Sequence, residues 1–338
     1  MGTYILKRLL MLVPMTFGIS VITFSIIALS PYKVAEEQMG EYGAISSDKK
    51  ATSSKMQHMR STFGSEYPDN SAISQYFHWL KRVLTEGSFG ESLDDGKPVT
   101  DKIISTVPVS MFFSIASMLI IYLIAIPIGI FSATHKDSRV DTSITFVLYL
   151  LYSLPGFWVA ILLIKLDSML GYPLPFQGIH PQGASGMTTL EMYYNSIPHI
   201  ILPIICMVYA AFAGMSRYMR ASMIDVVNMD YVRTARAKGL SERLVIFKHA
   251  LKNSLIPMVT MIAGILPGMI GGSVILEKIF NIPGMGRLGY MAVAAKDLPL
   301  IMALTTFAAI LVMVGILISD ILYAVVDPRI TFGGKAND

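Results

Sequence analysis

Polar and apolar positions along the chain separate into long blocks. Apolar runs cover residues 9–29, 107–131, 144–166, 197–215, 255–276 and 299–326. Each approaches or exceeds the roughly 20 helical residues that cross a hydrocarbon core, so six transmembrane helices are expected. The first run follows Lys7-Arg8, is longer than a signal-peptide core, and has Pro31 directly after Ala28-Leu29-Ser30, so it is expected to stay as a helix. Residues 31–106 are polar and mixed in charge. Within them, Tyr76, Phe77, Trp79, Leu80 and Val83 give residues 73–84 the apolar faces of an amphipathic helix, with loop expected around it.

An even number of spans puts both termini on one side, and the connections say which. The turn at 132–143 carries Lys136 and Arg139. The segment 216–253 carries Arg217, Arg220, Arg233, Arg236, Lys238, Arg243, Lys248 and Lys252 against Asp225, Asp230 and Glu242, whereas residues 168–196 contain no Lys or Arg. The positive-inside bias places both termini and the basic segment in the cytoplasm. In that segment Asp230 is expected to cap a short helix over 231–238, Gly239 to end it in a left-handed conformation, and Ser241 to start a second helix. A helix of two turns does not repay its own nucleation in water, so something must hold it. Its Arg and Lys residues lie nearly all round, which suits a protein groove better than a lipid surface.

Composition agrees with a polytopic membrane protein: of 338 residues, 53% are hydrophobic and only 15% charged. The single cysteine, Cys206, lies in an apolar run and is expected to be an inert buried side chain. Gly264, Gly268 and Gly272 fall four apart beside Pro267, the small-xxx-small spacing that admits a close helix of this chain or of another subunit. Pro127, Pro155, Pro203 and Pro257 are expected to interrupt their spans, either to line a pathway or as simple kinks.

Chemical motifs are sparse. There is no phosphate-binding GxxxxGK[ST] loop, no HExxH, and Gly183-Ala184-Ser185-Gly186 lacks the last glycine of a nucleophile elbow. No catalytic, cofactor-binding or metal-binding residues are expected, and His58, His78 and His180 lack ligand spacing. Lys165, Asp167 and Asp320 lie near span ends, which disfavours an ion-coupled secondary transporter. A membrane scaffold would use the glycine face for assembly alone. A passage without its own energy source calls for an energised partner, and the basic segment offers the docking place.

At these residues a family resemblance enters. Asp230-Tyr231-Val232-Arg233-Thr234-Ala235-Arg236-Ala237-Lys238-Gly239 resembles the cytoplasmic coupling motif of permease subunits of binding-protein-dependent ABC importers, in the B-type dipeptide, oligopeptide and nickel branch. Phe89-Gly90-Glu91-Ser92, Ser153-Leu154-Pro155-Gly156-Phe157-Trp158, Gly271-Gly272-Ser273-Val274-Ile275-Leu276-Glu277, Pro283-Gly284-Met285-Gly286, Lys296-Asp297-Leu298-Pro299 and Asp327-Pro328-Arg329-Ile330 agree in order. The chain departs from the general motif in having Arg233-Thr234-Ala235 where Glu-Ala-Ala is usual. His249-Ala250-Leu251-Lys252 replaces Ile-x-Leu-Pro, and Ser30-Pro31-Tyr32-Lys33 replaces Pro-Gly-Asp-Pro.

The resemblance implies an all-α type I importer fold with a first helix at 1–30, an extracytoplasmic segment at 31–106, a transmembrane core at 107–327 and a cytoplasmic tail at 328–338. It implies a multi-pass protein of the bacterial inner membrane that pairs with a second homologous permease, two cytoplasmic ABC ATPases and an extracytoplasmic solute-binding protein. Lipid surrounds it, and no nucleic acid is involved. ATP and Mg would be used by the ATPases and no cofactor bound by this chain. Di- or oligopeptides are the expected solute, with nickel or another small solute as the alternative. Asp230, Tyr231, Arg233, Thr234, Ala235, Arg236, Lys238 and Gly239 would form the coupling helix and its turn. Arg233, Arg236 and Lys238 would meet acidic or carbonyl groups of the ATPase.

Overall fold

The computed structural model describes residues 2–29, 57–63, 71–171, 174–181, 188–262, 268 and 272–326. All regular structure among them is helical, apart from one isolated bridge between Glu91 and Pro98. The helices are α1 (Gly2–Leu29), α2 (Ala72–Glu86), α3 (Val99–Thr134), α4 (Arg139–Ser153), α5 (Gly156–Met169), α6 (Thr189–Val227) and α7 (Asp230–Ala237). Next comes α8, in which Glu242–Leu244 is continued by a π-helical Val245–Ala250 and by Leu251–Ser254. Then follow α9 (Ile256–Ile262), α10 (Val274–Ile279), α11 (Met285–Ala294) and α12 (Leu298–Val326).

Among the described residues, α1, α3, α6 and α12 are long and apolar enough to cross a membrane, and α4 with α5 makes a fifth crossing if the bent pair is one span. At 36 residues α3 is about 54 Å long, well beyond the roughly 30 Å of a hydrocarbon core. The expected span at 144–166 is broken: α4 and α5 meet at 98°. Pro155 supplies the cause. It disfavours a helical residue before it, and Leu154 is extended with φ −80° and ψ 131°. Tyr209 Oη donates to the Leu154 carbonyl at 2.7 Å, satisfying an acceptor that the break leaves over. Pro127 and Pro203, expected to interrupt their spans, lie inside the continuous α3 and α6. The expected span at 255–276 is not one helix, since Gly272 has φ +46° and stands in a turn before α10. Gly272 is therefore off the helical face expected to join it to Gly268, and Gly264 lies outside the described residues.

The chain forms two units. The first is assembled from Met1–Ser110, Ile270–Gly272 and Gly284–Val314. Here the amphipathic helix is present as α2, capped by Ser71 Oγ, which accepts from the Ser74 amide, and closed by Gly87 with φ +63°. Its Tyr76 and Trp79 bury against Phe24, Met59, Phe63, Leu93 and Met302, and Tyr76 shares a 2.8 Å hydrogen bond with Ser20. Residues 57–63, expected to be loop, are helical, because Met59 and Phe63 give that short turn an apolar face to bury. A second cluster joins Val99 and Ile103 to Met285, Ala292, Leu300, Ala303 and Leu304.

Between these clusters runs the Phe89-Gly90-Glu91-Ser92 motif. A Cβ on Gly90 would lie 2.6 Å from Thr62 Oγ1, so only glycine allows the approach. Glu91 meets His58, and Ser92 Oγ donates to Asp297 Oδ2 at 2.5 Å. Lys102 Nζ donates to Ser92 Oγ and to Asp95 Oδ1, each at 2.7 Å. Burial pushes the Asp95 carboxyl up, but Lys102 and the Lys97 amide together hold it below its ordinary value.

The second unit comprises Met111–Met269, Ser273–Pro283 and Gly315–Asp338. Its axis is α6, whose buried Leu202, Cys206, Tyr209, Ala213, Ser216, Met219, Met223 and Val226 recur every three or four residues and face α4, α5, α8 and α9. Cys206 is reduced and buried, as its apolar surroundings suggested. Phe146, Tyr152, Phe157 and Trp158 on α4 and α5 point outward, as apolar residues can where the surroundings are lipid.

Candidate coupling site

The short basic helix exists as α7, displaced by one residue from the expected position. Met229 is the N-cap, with φ −72° and ψ 151°, and no side chain caps the helix. Asp230, expected to be the cap, instead begins the first turn. Its carboxylate is fully exposed 4.0 Å from Arg233, where it still complements the positive end of the helix dipole. At the other end Gly239 takes φ +77°, as expected, and its amide donates to the Arg236 carbonyl at 2.9 Å. Ser241 precedes α8 as its N-cap, again without a side-chain bond.

What holds so short a helix is the chain itself. Val232 and Ala235, three residues apart on one face, bury in a core with Ile130, Met219, Met223, Val226, Val245, Ala250 and Met258. Burying a valine side chain is worth about 1.5–3 kcal/mol, enough to offset the nucleation that an isolated two-turn helix cannot repay. Further bonds set α8 and α9 beneath it. Asn253 Nδ2 donates to Tyr231 Oη at 2.6 Å, Ser222 Oγ to the Ser254 carbonyl at 2.9 Å, and Tyr122 Oη to the Met258 carbonyl at 2.6 Å. The Thr234 hydroxyl bonds back to the Asp230 carbonyl and is spent locally.

Arg236, exposed on the same surface, also bonds within its own chain: Nε and Nη2 donate to the Glu242 carboxylate at 3.0 and 2.6 Å, and Nη1 to the Val227 carbonyl at 3.4 Å. This fork latches α7 to α8 across the Gly239 turn. Arg233 and Lys238 are exposed without such a fork, and Arg243, Lys248 and Lys252 on α8 are exposed as well. Met229, Leu244 and Phe247 are also exposed and were not singled out by the sequence reading. Their signal was apolar type inside an otherwise polar segment. The π-helical turn at Val245–Ala250 was not foreseen either; such turns often mark functional positions.

The Arg236 guanidinium holds the Glu242 carboxyl below the ordinary glutamate value. Because the folded value lies below the unfolded one, the latch contributes above the unfolded value and is lost as pH falls through the folded one. Glu242→Gln is therefore expected to speed amide hydrogen exchange at 236–243 near neutral pH and to leave the rate unchanged under acid conditions, where the wild-type latch is also open. Equal exchange in both proteins at neutral pH would remove the latch from the account.

No group of three or more His, Cys, Asp or Glu side chains among the described residues is placed to hold a metal ion.

Comparison with known proteins gives this surface its setting. Residues 125–332, which include α6, α7 and α8, match the family described as binding-protein-dependent transport system inner membrane component. The chain belongs to that family: it is the membrane permease component of an ABC importer, a multi-pass protein of the inner membrane. Among curated relatives, it is 37% identical over 337 residues to the oligopeptide transport system permease protein AppB of Bacillus subtilis (strain 168), covering 98% of this chain and 100% of that protein. It is 35% identical to the dipeptide transport system permease protein DppB of Lactococcus lactis subsp. cremoris (strain MG1363), over 98% of this chain and 99% of the relative. It is 32% identical to the glutathione transport system permease protein GsiC of Escherichia coli (strain K12), over 98% and 100%.

Proposed function

We propose that this chain is one of two permease subunits of a peptide importer, and that α7 with its Gly239 turn is the element through which cytoplasmic ATPases drive it. The observation that carries the reading is a two-turn basic helix fixed on one side by its own core while Arg233 and Lys238 face outward. Such a helix can bear load without unfolding, and its outward cations suit an ATPase groove lined by acidic or carbonyl groups. The relatives' names, all of peptide or glutathione permeases, favour a peptide as solute.

In this reading the chain crosses the membrane six times, two of the crossings through broken helices, with both termini, the turn at 132–143 and the segment 216–253 in the cytoplasm, and residues 31–106 outside. The second permease is a homologue, and an extracytoplasmic binding protein delivers the solute. ATP and Mg are used by two ATPase subunits. Their closure moves α7 and switches the pore between inward- and outward-facing.

The test is purification from native membrane in mild detergent. Two ATPase chains and a second permease are expected to copurify, with ATP hydrolysis by the complex. Isolation of the chain alone would overturn the reading. A cysteine replacing the exposed Thr85 of α2 is expected to react with an impermeant maleimide from the outer face; labelling only after the inner face is opened would invert the topology.

A further inference from the structure

We propose that Asp141 and Arg220 form the positioning pair that carries movement of α7 into α3 and α4. The proposal rests on the coupling reading of α7 and adds how this chain transmits the movement.

The carboxylate of Asp141, in the first turn of α4 and 3% exposed, is the meeting point of three pieces of chain. Arg220 of α6 donates to it through Nε at 2.9 Å and Nη2 at 2.6 Å. The Asp137 amide, from the turn between α3 and α4, donates at 3.0 Å, and the Ser132 hydroxyl near the end of α3 donates as well. Four donors fill the acceptor sites of an ionised carboxylate. The planar fork of Arg220 fixes direction as well as distance, which a lysine at that position does not do.

A close approach between α3 and α6 stands beside the pair. A Cβ on Gly129 of α3 would lie 2.5 Å from Met219 Cβ and 2.9 Å from the Ser216 carbonyl of α6, so the two helices touch at backbone distance. Met219, Met223 and Val226, on this same stretch of α6, form the core in which Val232 and Ala235 of α7 are buried. Only Asn228 and Met229 separate the end of α6 from α7. A force on α7 therefore acts directly on the end of α6 that carries Arg220, and through it on Asp141 and Ser132. Burying a charged pair is seldom more stabilising than burying apolar groups of equal size, so the pair's contribution lies in geometry.

The test uses the copurified complex with ATPases and second permease. Phe146→Cys on α4, in a Cys206→Ser background, carries a nitroxide, and the spectrum is recorded with and without ATP, Mg and vanadate. The parent complex is expected to show a nucleotide-dependent spectral change. Asp141→Asn and Arg220→Gln should retain the ATPases and lose that change. Ser143→Ala on α4, whose hydroxyl only bonds back to the Arg139 carbonyl, should keep it, and Arg220→Lys, which keeps charge without the fork, should show a reduced change. A parent complex without ATPases, or without a nucleotide-dependent change, overturns the coupling reading and this proposal with it. An unaltered change in Asp141→Asn or Arg220→Gln, with the ATPases bound, overturns the positioning role alone. Should those two variants fail to assemble, Arg220→Lys decides: a full-sized change there overturns the pair. Loss of the change in Ser143→Ala as well would mark general packing damage and overturn it too.

Discussion

Gly239→Pro is expected to strip the ATPase subunits from the purified protein and abolish solute uptake, while the amount of full-length chain in the membrane stays the same. Proline is held near φ −65°, whereas Gly239 sits at +77°, so the turn after α7 cannot form around it. The substitution also removes the amide that bonds the Arg236 carbonyl at 2.9 Å. That loss falls next to the Arg236–Glu242 latch, so α7 loses its C-terminal stop and its connection to α8 together. Insertion is unaffected because the apolar runs lie elsewhere.

The physical cause can be separated from simple crowding. Nothing lies within 4 Å of a Cβ built on Gly239, so a side chain there meets open space and only the backbone conformation opposes it. Asparagine, which tolerates the left-handed region, should retain most function. Alanine should cost about 1–2 kcal/mol locally, and proline far more. Copurified ATPase, measured across Gly, Asn, Ala and Pro, should fall in that order. Equal retention in all four would show that docking does not need this turn.

The second large effect is expected at Asp297. Asp297→Ala should free the segment 88–98 from the turn before α12, raising amide exchange in 88–98 and 296–304 together. Asp297 and Ser92 are both without solvent exposure, and Lys102 reaches Ser92 from the start of α3. Asp297 Oδ1 also accepts from the Leu300 amide at 3.3 Å, so the carboxylate anchors the first turn of α12. Breaking a buried charged network from one side costs about 3–5 kcal/mol. Asp297→Asn keeps the shape and one acceptor oxygen, and should cost less. Ser92→Ala should fall between them, because Lys102 keeps Asp95 at 2.7 Å. Unchanged protection in both segments for Asp297→Ala would mean that apolar packing alone holds this unit.

Local signals were legible where the physics is local. The face of α2 followed from Tyr76 and Trp79 at helical spacing, whereas its stop at the left-handed Gly87 lay beyond the expected end at residue 84. The end of α7 followed from Gly239, since only a left-handed residue closes a helix so sharply. The start of α7 was misplaced by one residue because Asp230 has two favourable uses, as a cap and as a first-turn acid, and composition cannot choose between them. Pro155 was read as an interruption and is one. Pro127 and Pro203 are of the same residue type and are accommodated, because a proline inside a long apolar helix is held in place by the packing around it.

By itself, then, the sequence determined that this is a helical membrane protein of the importer permease family. Long apolar runs must satisfy their backbone within the segment, and an ordered set of motifs spans the chain. Only the tertiary structure decided which charges are spent internally. Arg236 turns onto Glu242, Arg220 finds Asp141 across 79 residues, and Ser92 finds Asp297 across 205. No periodicity within a window of sequence encodes the last two pairs, because they depend on how distant helices pack and on which buried polar groups have no water to turn to.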